Sequence, residues 1–121
     1  MWTVIKFDQK EFGLLKSELD KKFGNDYLIY CPKLLFQKFK KNKLIKREIN
    51  LLGDYLFCFH RKFSEKNIIN QIKYLRGVKY LLEGLSTTQT EINEFVCKCK
   101  KLEDLNGYIN QTFFEIKKDK L

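Results

Sequence analysis

The order of apolar and polar residues at the start of the chain predicts a strand followed by a helix. Residues 2–7 (WTVIKF) are rich in β-branched and aromatic side chains, which is typical of a strand. Asp8 and Glu11 have the spacing of a capping box, so we expect a helix to begin there. Gly24 fits the end of this helix. Its buried face is predicted to be a stripe of apolar side chains at helical spacing, Phe12, Leu15, Leu19 and Phe23.

The middle of the chain predicts several strands joined by short turns. Residues 27–31 (YLIYC) are predicted to form one strand, and Pro32 requires either a break or an edge position because proline lacks a backbone donor. Residues 34–49 are expected to be the two arms of a hairpin, joined by a basic tip at residues 40–43 (KKNK). Residues 51–59 (LLGDYLFCF) are the most hydrophobic run and fit a central strand.

A second helix is predicted to begin at a cap formed by Ser64 and to end at Gly77. A short strand over residues 78–82 follows it. The side chains that would face the core from this helix are Ile68, Ile69, Ile72 and Leu75.

A third helix is predicted from Thr88 and Glu91, which repeat the capping-box spacing. Residues 108–116 should form a last strand or a docked segment, and the lysine-rich end is expected to fray. The elements together indicate an α+β fold, with a mostly antiparallel sheet of four to five strands flanked by about three helices. The inward side chains of the third helix would be Ile92, Phe95, Val96 and Cys99.

The chain carries a net charge of +9, from 24 basic and 15 acidic residues among 121. A basic domain of this size is typical of proteins that bind a polyanion, usually nucleic acid. An alternative interpretation is that an AT-rich coding sequence supplied the lysines, which outnumber the arginines 21 to 3. The placement of the charges is therefore more informative than their sum.

The N-terminus lacks the apolar run of a signal peptide, because Lys6, Asp8 and Lys10 interrupt it. No apolar stretch approaches the roughly 20 residues that a membrane span needs. We therefore expect a cytoplasmic protein without a membrane partner. In that compartment thiols are kept reduced, which we expect for Cys31, Cys58, Cys97 and Cys99.

No pattern of residues indicates catalysis or metal binding. Cys97 and Cys99 would point roughly 200° apart on a helix, so we expect buried structural cysteines rather than ligands of one ion. His60 shares a strand face with Cys58, but no orienting group accompanies the pair, and we expect an ordinary surface histidine. The six glycines are scattered, which argues against a phosphate-cradling loop. We therefore predict a non-enzymatic protein with no cofactor, metal or small-molecule substrate.

Four short segments occur in the order and at the spacing of one family's motifs. The chain opens with W-T-V-I at residues 2–5, and L-L-G-D-Y-L-F at residues 51–57 is similar to an F-P-G/N-Y-L-F/V strand. R-G-V at residues 76–78 is similar to an R-G-V or P-G-V turn, and T-Q-T-E-I at residues 88–92 to an S-x-x-E-V/I helix start. Over about residues 2–104 the chain therefore resembles the N-terminal domain of NusG-type transcription factors.

The resemblance implies one domain over residues 1–104 and a C-terminal extension over residues 105–121. Relatives often carry a KOW barrel, which needs roughly 50 residues, and the extension is too short for one. A specialised paralogue of the RfaH type is a second kind of member that the resemblance leaves open.

In this family the domain binds the coiled-coil clamp helices of the largest RNA polymerase subunit through an exposed apolar patch. The resemblance places that patch at Leu52, Tyr55 and Phe57. Tyr55 and Phe57 share one face of a strand, whereas Leu52 joins them only if Gly53 and Asp54 form a bulge. The alternative interpretation is that these side chains belong to the core.

The resemblance also implies contact with upstream or non-template DNA, for which the predicted hairpin offers a basic cluster suited to phosphates. Arg76 is a further candidate for contact with DNA or polymerase. The alternatives are a solvated hairpin and, for Arg76, a cation that stabilises a helix end. The basic cluster comprises Lys38, Lys40, Lys41, Lys43, Lys46 and Arg47.

The sequence thus predicts a transcription elongation or antitermination factor. A competing hypothesis is a free-standing module that binds RNA or single strands by stacking bases on the exposed aromatics of a ferredoxin-like sheet. A third is a small enzyme that uses Cys58 or His60. Binding to isolated clamp helices would separate the first hypothesis from the second.

Overall fold

The computed structural model describes residues 1–109 of the protein, and the predicted α+β class is confirmed. Within this range no helix is long or apolar enough to span a bilayer. The helices are α1 (Phe12–Phe23), α2 (Lys66–Ile72) and α3 (Gln89–Lys101). The strands are β1 (Trp2–Phe7), β2 (Leu28–Tyr30), β3 (Lys33–Lys40), β4 (Lys43–Asn50), β5 (Tyr55–Phe59), β6 (Val78–Leu81) and β7 (Tyr108–Ile109).

Four of the strands form an antiparallel sheet in the order β2-β5-β1-β6. The central strand β1 pairs with β5 from Trp2, opposite Phe59, to Lys6, opposite Tyr55. Its other edge pairs with β6, where Lys6 lies opposite Tyr80. Because α1 follows β1 and α2 follows β5, the order of elements is the split β-α-β arrangement of ferredoxin-like domains.

Two helices cover the first face of this sheet. Alternate residues of a strand point to opposite faces, and Ile5 and Leu56 point to this one, where both are fully buried. They pack in one cluster with Leu15 and Leu19 of α1 and Ile72 of α2. The apolar stripe predicted for the first helix therefore forms the core as expected.

The third helix covers part of the second face. Trp2, Val4 and Phe57 pack there beneath α3, and the rings of Trp2 and Phe57 meet edge-on with centroids 6.2 Å apart. The next residue of β1 on this face, Lys6, is only half-buried, so the cover does not extend over the whole face. The predicted inward side of α3 is confirmed, with Val96 and Cys99 buried and Ile92 and Phe95 half-buried.

The hairpin of β3 and β4, which we call the ribbon (residues 33–50), belongs to a second sheet with the order β4-β3-β7. Its turn residues Lys41 and Asn42 adopt φ angles of 52° and 63°. Two such left-handed residues are what a two-residue hairpin turn of type I′ requires. At the root of the ribbon, β7 pairs in parallel with β3, and Ile109 is 2% exposed. The predicted arms and basic tip are confirmed.

The predicted capping box at the start of the first helix is wrong. Asp8 accepts a hydrogen bond from the backbone N–H of Lys10 (3.0 Å) and caps a short 3₁₀ turn, and α1 begins only at Phe12. The backbone N–H of Asp8 donates to the carbonyl of Gly77 at 2.9 Å. The donor that Glu11 would need for a capping box is therefore already satisfied by a distant turn.

Neither of the other two predicted cap residues makes a capping hydrogen bond, although α3 does begin directly after Thr88, as predicted. Ser64 is the last residue of the 3₁₀ turn Arg61–Ser64, and α2 begins at Lys66. Thr88 precedes α3, but its hydroxyl donates to the carbonyl of Leu85 (3.2 Å) and accepts nothing from the helix. The periodicity identified these helices, whereas neighbouring turns decide where each one begins.

Two predicted element ends also differ from the structure, and a third lies outside the described residues. Residues 51–54 form a turn in which Gly53 has a φ of 63°, so the central strand starts at Tyr55 rather than at residue 51. The second helix ends at Ile72, before the predicted Gly77. Of the predicted segment 108–116, the first two residues form β7, and residues from 110 onward lie outside the described part of the chain.

Candidate functional site

The ribbon concentrates positive charge on an exposed two-stranded arm. Its residues 33–50 include seven basic side chains and one acidic side chain, in a chain whose net charge is +9. Every residue from 36 to 49 is exposed. The six basic residues predicted for the hairpin all lie on this exposed stretch, at Lys38, Lys40, Lys41, Lys43, Lys46 and Arg47.

The strand register sorts these basic residues by face, because cross-strand partners project to the same side. Lys41 lies in the turn. The face that we call the basic face carries Lys38, Lys40, Lys43 and Arg47, with Phe36 and Ile45 between them. The opposite side, which we call the Phe39 face, carries Gln37, Phe39, Leu44 and Lys46.

The one acidic residue of the ribbon is held at its root. Glu48 accepts a hydrogen bond from the hydroxyl of Tyr108 (2.6 Å) and lies 3.6 Å from the ammonium group of Lys33. The hydrogen bond from Tyr108, together with the charge of Lys33, lowers the pKa of Glu48. Glu48 therefore stays ionised where the ribbon joins the domain, and the distal part presents positive charge alone.

Phe57 lies in the core, so its predicted place in an exposed patch is wrong. Its side chain is 7% exposed. The ring packs against Trp2 and against Phe95 of α3, with the Phe95 centroid 5.8 Å away. The alternative interpretation, a core residue, is correct for Phe57 because α3 covers this part of the sheet.

Leu52 and Tyr55 lie on the same side of the molecule, as the patch requires. The backbone N–H of Gly53 donates to the carbonyl of Asn50 (3.1 Å), and that of Tyr55 donates to the carbonyl of Leu52 (3.3 Å). This turn, rather than a β-bulge at Gly53 and Asp54, brings Leu52 to the same side as Tyr55. Leu52 and Tyr55 are both half-buried at the margin of the cluster beneath α3.

Tyr55 has a partner that the sequence did not indicate. Lys6 of β1 lies between Tyr55 of β5 and Tyr80 of β6, in one row across the second face of the sheet. The two tyrosine hydroxyls are 2.7 Å apart, and the Lys6 ammonium group lies 4.6 Å from the centre of the Tyr55 ring. The hydrogen bond to Tyr55 raises the pKa of Tyr80. We call Leu52, Tyr55 and Tyr80 the tyrosine ledge.

Polar contacts fix one end of the ledge. Lys6 also lies 3.6 Å from a carboxylate oxygen of Asp54, and the side-chain amide of Gln9 donates to Asp54 at 2.9 Å. Tyr80 is 47% exposed. The ledge is therefore a small amphipathic surface of apolar area and tyrosine hydroxyls, which lies beside the ion pair of Lys6 and Asp54.

The sequence did not identify Tyr80 because β6 is only four residues long, and so short a strand does not reveal which of its faces is covered. The alternation of its side chains does show that Tyr80 and Leu81 point to opposite faces. In β6, Leu81 is buried, so its neighbour Tyr80 must point to the opposite face. Once β6 is paired with β1, that face is the one that carries Tyr55.

Arg76 is not part of the ribbon or of the ledge. Its guanidinium lies 4.0 Å from the carboxylate of Glu11, and its backbone N–H donates to Glu18 of α1 at 2.9 Å. It lies beyond the end of α2 at Ile72, and its polar contacts among the described residues are with Glu11 and Glu18. Arg76 thus ties the turn before β6 to α1.

The prediction that His60 is an ordinary surface residue is wrong. Its side chain is 3% exposed, and its ring lies 4.3 Å from that of Phe23 and 5.5 Å from that of Phe63. Nδ1 accepts a hydrogen bond from the backbone N–H of Lys62 (3.0 Å). Burial lowers the pKa of His60, so the neutral ring is the native form at neutral pH.

The cysteines show no arrangement for nucleophilic or metal chemistry. Cys58 is fully buried, and burial raises the pKa of its thiol to about 12. Cys99 is buried as predicted, but Cys97 is exposed. Among residues 1–109 no group of three or more His, Cys, Asp or Glu side chains is placed to hold a metal ion.

An open groove of about 760 Å³ runs beside the edge strand β2. Two of its tyrosine hydroxyls pair with carboxylates that also line it. The hydroxyl of Tyr30 donates to Glu103 at 2.9 Å, and that of Tyr27 donates to Asp20. We therefore assign no substrate to this groove.

The aromatic residues on the central strands are mostly covered, which bears on the base-stacking hypothesis. Modules that stack bases on a sheet expose aromatic rings of the two central strands. Here Trp2 and Phe57 occupy such positions on β1 and β5, but both lie beneath α3. On that face the ledge tyrosines, together with Tyr30 and Phe59, remain partly accessible around this covered pair.

A scan of the chain against protein-family models finds no match, and a search of curated proteins finds no significant match. The functional interpretation therefore depends on the ribbon, on the tyrosine ledge and on the four segments that resemble NusG-type motifs.

Proposed function

We propose that the protein is a non-enzymatic transcription elongation or antitermination factor of the NusG type. In this proposal the tyrosine ledge docks on the clamp helices of the largest RNA polymerase subunit, and the ribbon contacts upstream or non-template DNA. The protein would act in the cytoplasm, beside the transcribing polymerase. The observation that carries the proposal is the exposed, purely cationic distal ribbon on a domain that also presents an aromatic ledge.

The ledge suits a helical protein partner. Leu52, Tyr55 and Tyr80 combine apolar area with hydroxyl groups, and tyrosine is among the residues most enriched at the centres of protein interfaces. The two rings are joined by the hydrogen bond between their hydroxyls, and Lys6 packs on the ring of Tyr55, so little conformational freedom is lost on binding.

The ribbon suits a phosphate backbone. A strand of eight residues such as β3 is roughly 26 Å long, which spans several phosphates of a nucleic acid. Its lysines and arginine make contacts that do not depend on base sequence. Such contacts release counterions, so binding should weaken steeply as the salt concentration rises.

Docking on polymerase is tested with the full chain and isolated clamp helices in a pull-down. We expect wild-type binding to persist at high salt and the double variant Tyr55→Ala/Tyr80→Ala to lose at least about 30-fold in affinity, the effect of a hot spot of about 2 kcal/mol. Tyr74→Ala is the matched control, because Tyr74 is 88% exposed and lies outside the ledge. Equal binding by wild type and the double variant would contradict the ledge assignment.

Contact with DNA is tested by changing the charge of the ribbon tip. Lys40, Lys41 and Lys43 are replaced by glutamine, and the control replaces three exposed lysines elsewhere, Lys10, Lys21 and Lys66. Both variants lose the same charge, but only the first should weaken DNA binding and flatten its salt dependence, by a log–log slope of roughly 0.9 per lost phosphate contact. Strong nucleic-acid binding without any association with polymerase would favour the free-standing binding module instead.

A further inference from the structure

The Phe39 face of the ribbon has a feature that contact with phosphates does not explain. Phe39 is 76% exposed, more than any other phenylalanine in the described part of the chain. Its cross-strand partner Leu44 is 45% exposed. Neither side chain is needed to hold a phosphate, and both leave apolar surface in water beside several cations.

We propose that Phe39 stacks on an unpaired base of a nucleic-acid strand whose phosphates lie along the lysines of the ribbon. The ribbon would then bind single strands more tightly than duplex. This inference rests on the proposed contact between the ribbon and DNA, and it adds the state of the strand that the ribbon recognises.

The positions of the ring and the cations favour an unpaired strand. Stacking requires a free base face, which a continuous duplex does not offer to a side chain. Phe39 follows Lys38 and precedes Lys40, and these two lysines project to the basic face while the ring projects to the other. A strand that crosses the edge of β3 therefore meets an aromatic ring and two ammonium groups in succession.

The charges around the ring favour nucleic acid over a membrane surface. The turn beyond Phe39 carries Lys41, and Lys40 pairs with Lys43 directly behind the turn. Binding to a bilayer interface depends on the apolar area that is buried, and on the Phe39 face this turn could insert only the side chains of Phe39 and Leu44. Charges that surround an exposed ring suit a polyanion with stackable bases.

The inference is tested with the full chain by fluorescence anisotropy, using labelled oligothymidine of about 15 nucleotides and a duplex of equal length. We expect the wild type to bind the single strand more tightly than the duplex. Phe39→Ala should weaken single-strand binding by about 10-fold, the effect of losing one stacked base, and should change duplex binding by less than about 2-fold.

Two controls separate stacking from support of the ribbon. Leu44→Ala breaks the same cross-strand pair but keeps the ring, so it should leave single-strand affinity nearly unchanged. Phe39→Trp should keep the affinity, and its fluorescence should be quenched by the single strand but not by the duplex. The signal is readable because Trp2, the one native tryptophan, is 6% exposed.

Four results would overturn the inference. Equal losses in Phe39→Ala and Leu44→Ala would mean that the pair only supports the ribbon. Duplex binding that equals or exceeds single-strand binding would remove the stacking role and leave the proposed function intact. Binding to vesicles of phosphatidylcholine and phosphatidylserine in preference to oligonucleotides would identify a membrane surface as the partner. The absence of binding to both oligonucleotides at low salt would refute the proposed DNA contact as well.

Discussion

The ribbon and the four-stranded sheet are both antiparallel β structure, but they bury very different fractions of their side chains. In the sheet, one face is packed against α1 and α2, and much of the other is packed beneath α3. In the ribbon, every residue from 36 to 49 is exposed. The sheet is therefore held by its core, whereas the ribbon must be held by its turn, its cross-strand pairs and its root.

The root of the ribbon supplies the anchoring that an isolated hairpin lacks. A two-stranded hairpin alone is marginally stable in water. Here the backbone N–H of Leu51 donates to the carbonyl of Pro32 (2.8 Å), Ile109 is buried, and the hydroxyl of Tyr108 bonds to Glu48. The comparison shows that side chains on the distal ribbon are free of packing requirements and can be devoted to a partner.

The strongest test of this comparison makes one substitution in each region. Leu56→Ala empties a fully buried site and should lower the free energy of unfolding by about 3 to 4 kcal/mol. Leu44→Ala, at a side chain that is 45% exposed, should cost at most about 1 kcal/mol, the value of a cross-strand pair. Urea unfolding measures both. Similar losses at the two sites would show that the ribbon is packed as tightly as the sheet.

A second test compares two glycines, one on the packed side of the domain and one in an open turn. A Cβ on Gly77 would lie 3.1 Å from the carbonyl oxygen of Glu11 and 3.1 Å from Cβ of Leu15, at a φ of +92°. A Cβ on Gly53 would meet nothing within 4 Å, although its φ is +63°. We expect a loss of about 2 to 3 kcal/mol for Gly77→Ala, from strain and crowding together, and about 1 kcal/mol for Gly53→Ala. Thermal unfolding measures the loss of stability in each variant. Equal losses in the two variants would mean that crowding at Gly77 is relieved by a shift of α1.

The third prediction concerns the pH response of the packed region. Asp26 favours the charged form of His60, whereas Arg61, Lys62 and the N-terminal amine oppose it, and burial, the largest cause, lowers the pKa of His60. The unfolded chain therefore binds a proton below about pH 6.5 that the folded chain does not. Stability should be undiminished above that pH and should fall as the pH decreases below it.

His60→Asn is the matched control for this pH response. An asparagine oxygen can accept the hydrogen bond from the backbone N–H of Lys62, as an Asx turn does, but it does not titrate. The free energy of unfolding of the variant should therefore fall less steeply between pH 7 and pH 5. Parallel pH profiles for the two proteins would refute the assignment to His60.

The sequence predicted the parts of the fold that depend on periodicity. The stripe of Leu15 and Leu19, the first strand and the basic hairpin were all correct. The capping hydrogen bonds were wrong because neighbouring 3₁₀ turns and, at the first helix, a distant residue take their place. For example, the backbone N–H of Asp8 is taken by the carbonyl of Gly77, which no local pattern near Asp8 can reveal.

The candidate site was only partly predictable for a related reason. The basic cluster could be located because its members are adjacent in sequence and the hairpin is local. The burial of Phe57 depends on α3, which begins about 30 residues later, and the alternation of a strand does not say which of its faces a later helix will cover. Tyr80 joins Tyr55 only through the register of β6 on β1, which is a tertiary feature.

The smallest expected effect on stability is at the tip of the ribbon. Replacement of Lys40, Lys41 and Lys43 by glutamine removes three exposed like charges that lie close together, of which Lys40 and Lys43 are direct cross-strand partners. Like charges placed opposite each other destabilise a strand pair. The free energy of unfolding should therefore stay within about 0.5 kcal/mol of wild type or rise slightly, and any gain should shrink as salt screens the repulsion.

The same triple variant is expected to show the steepest loss of nucleic-acid binding, so stability and binding should change independently at this position. Under the proposed function, these exposed charges serve a polyanionic partner rather than the fold. A loss of stability comparable to that of Leu56→Ala would mean that these lysines have a structural role. Circular dichroism in low and high salt, measured on the triple variant and on the Lys10, Lys21 and Lys66 control, decides between the two explanations.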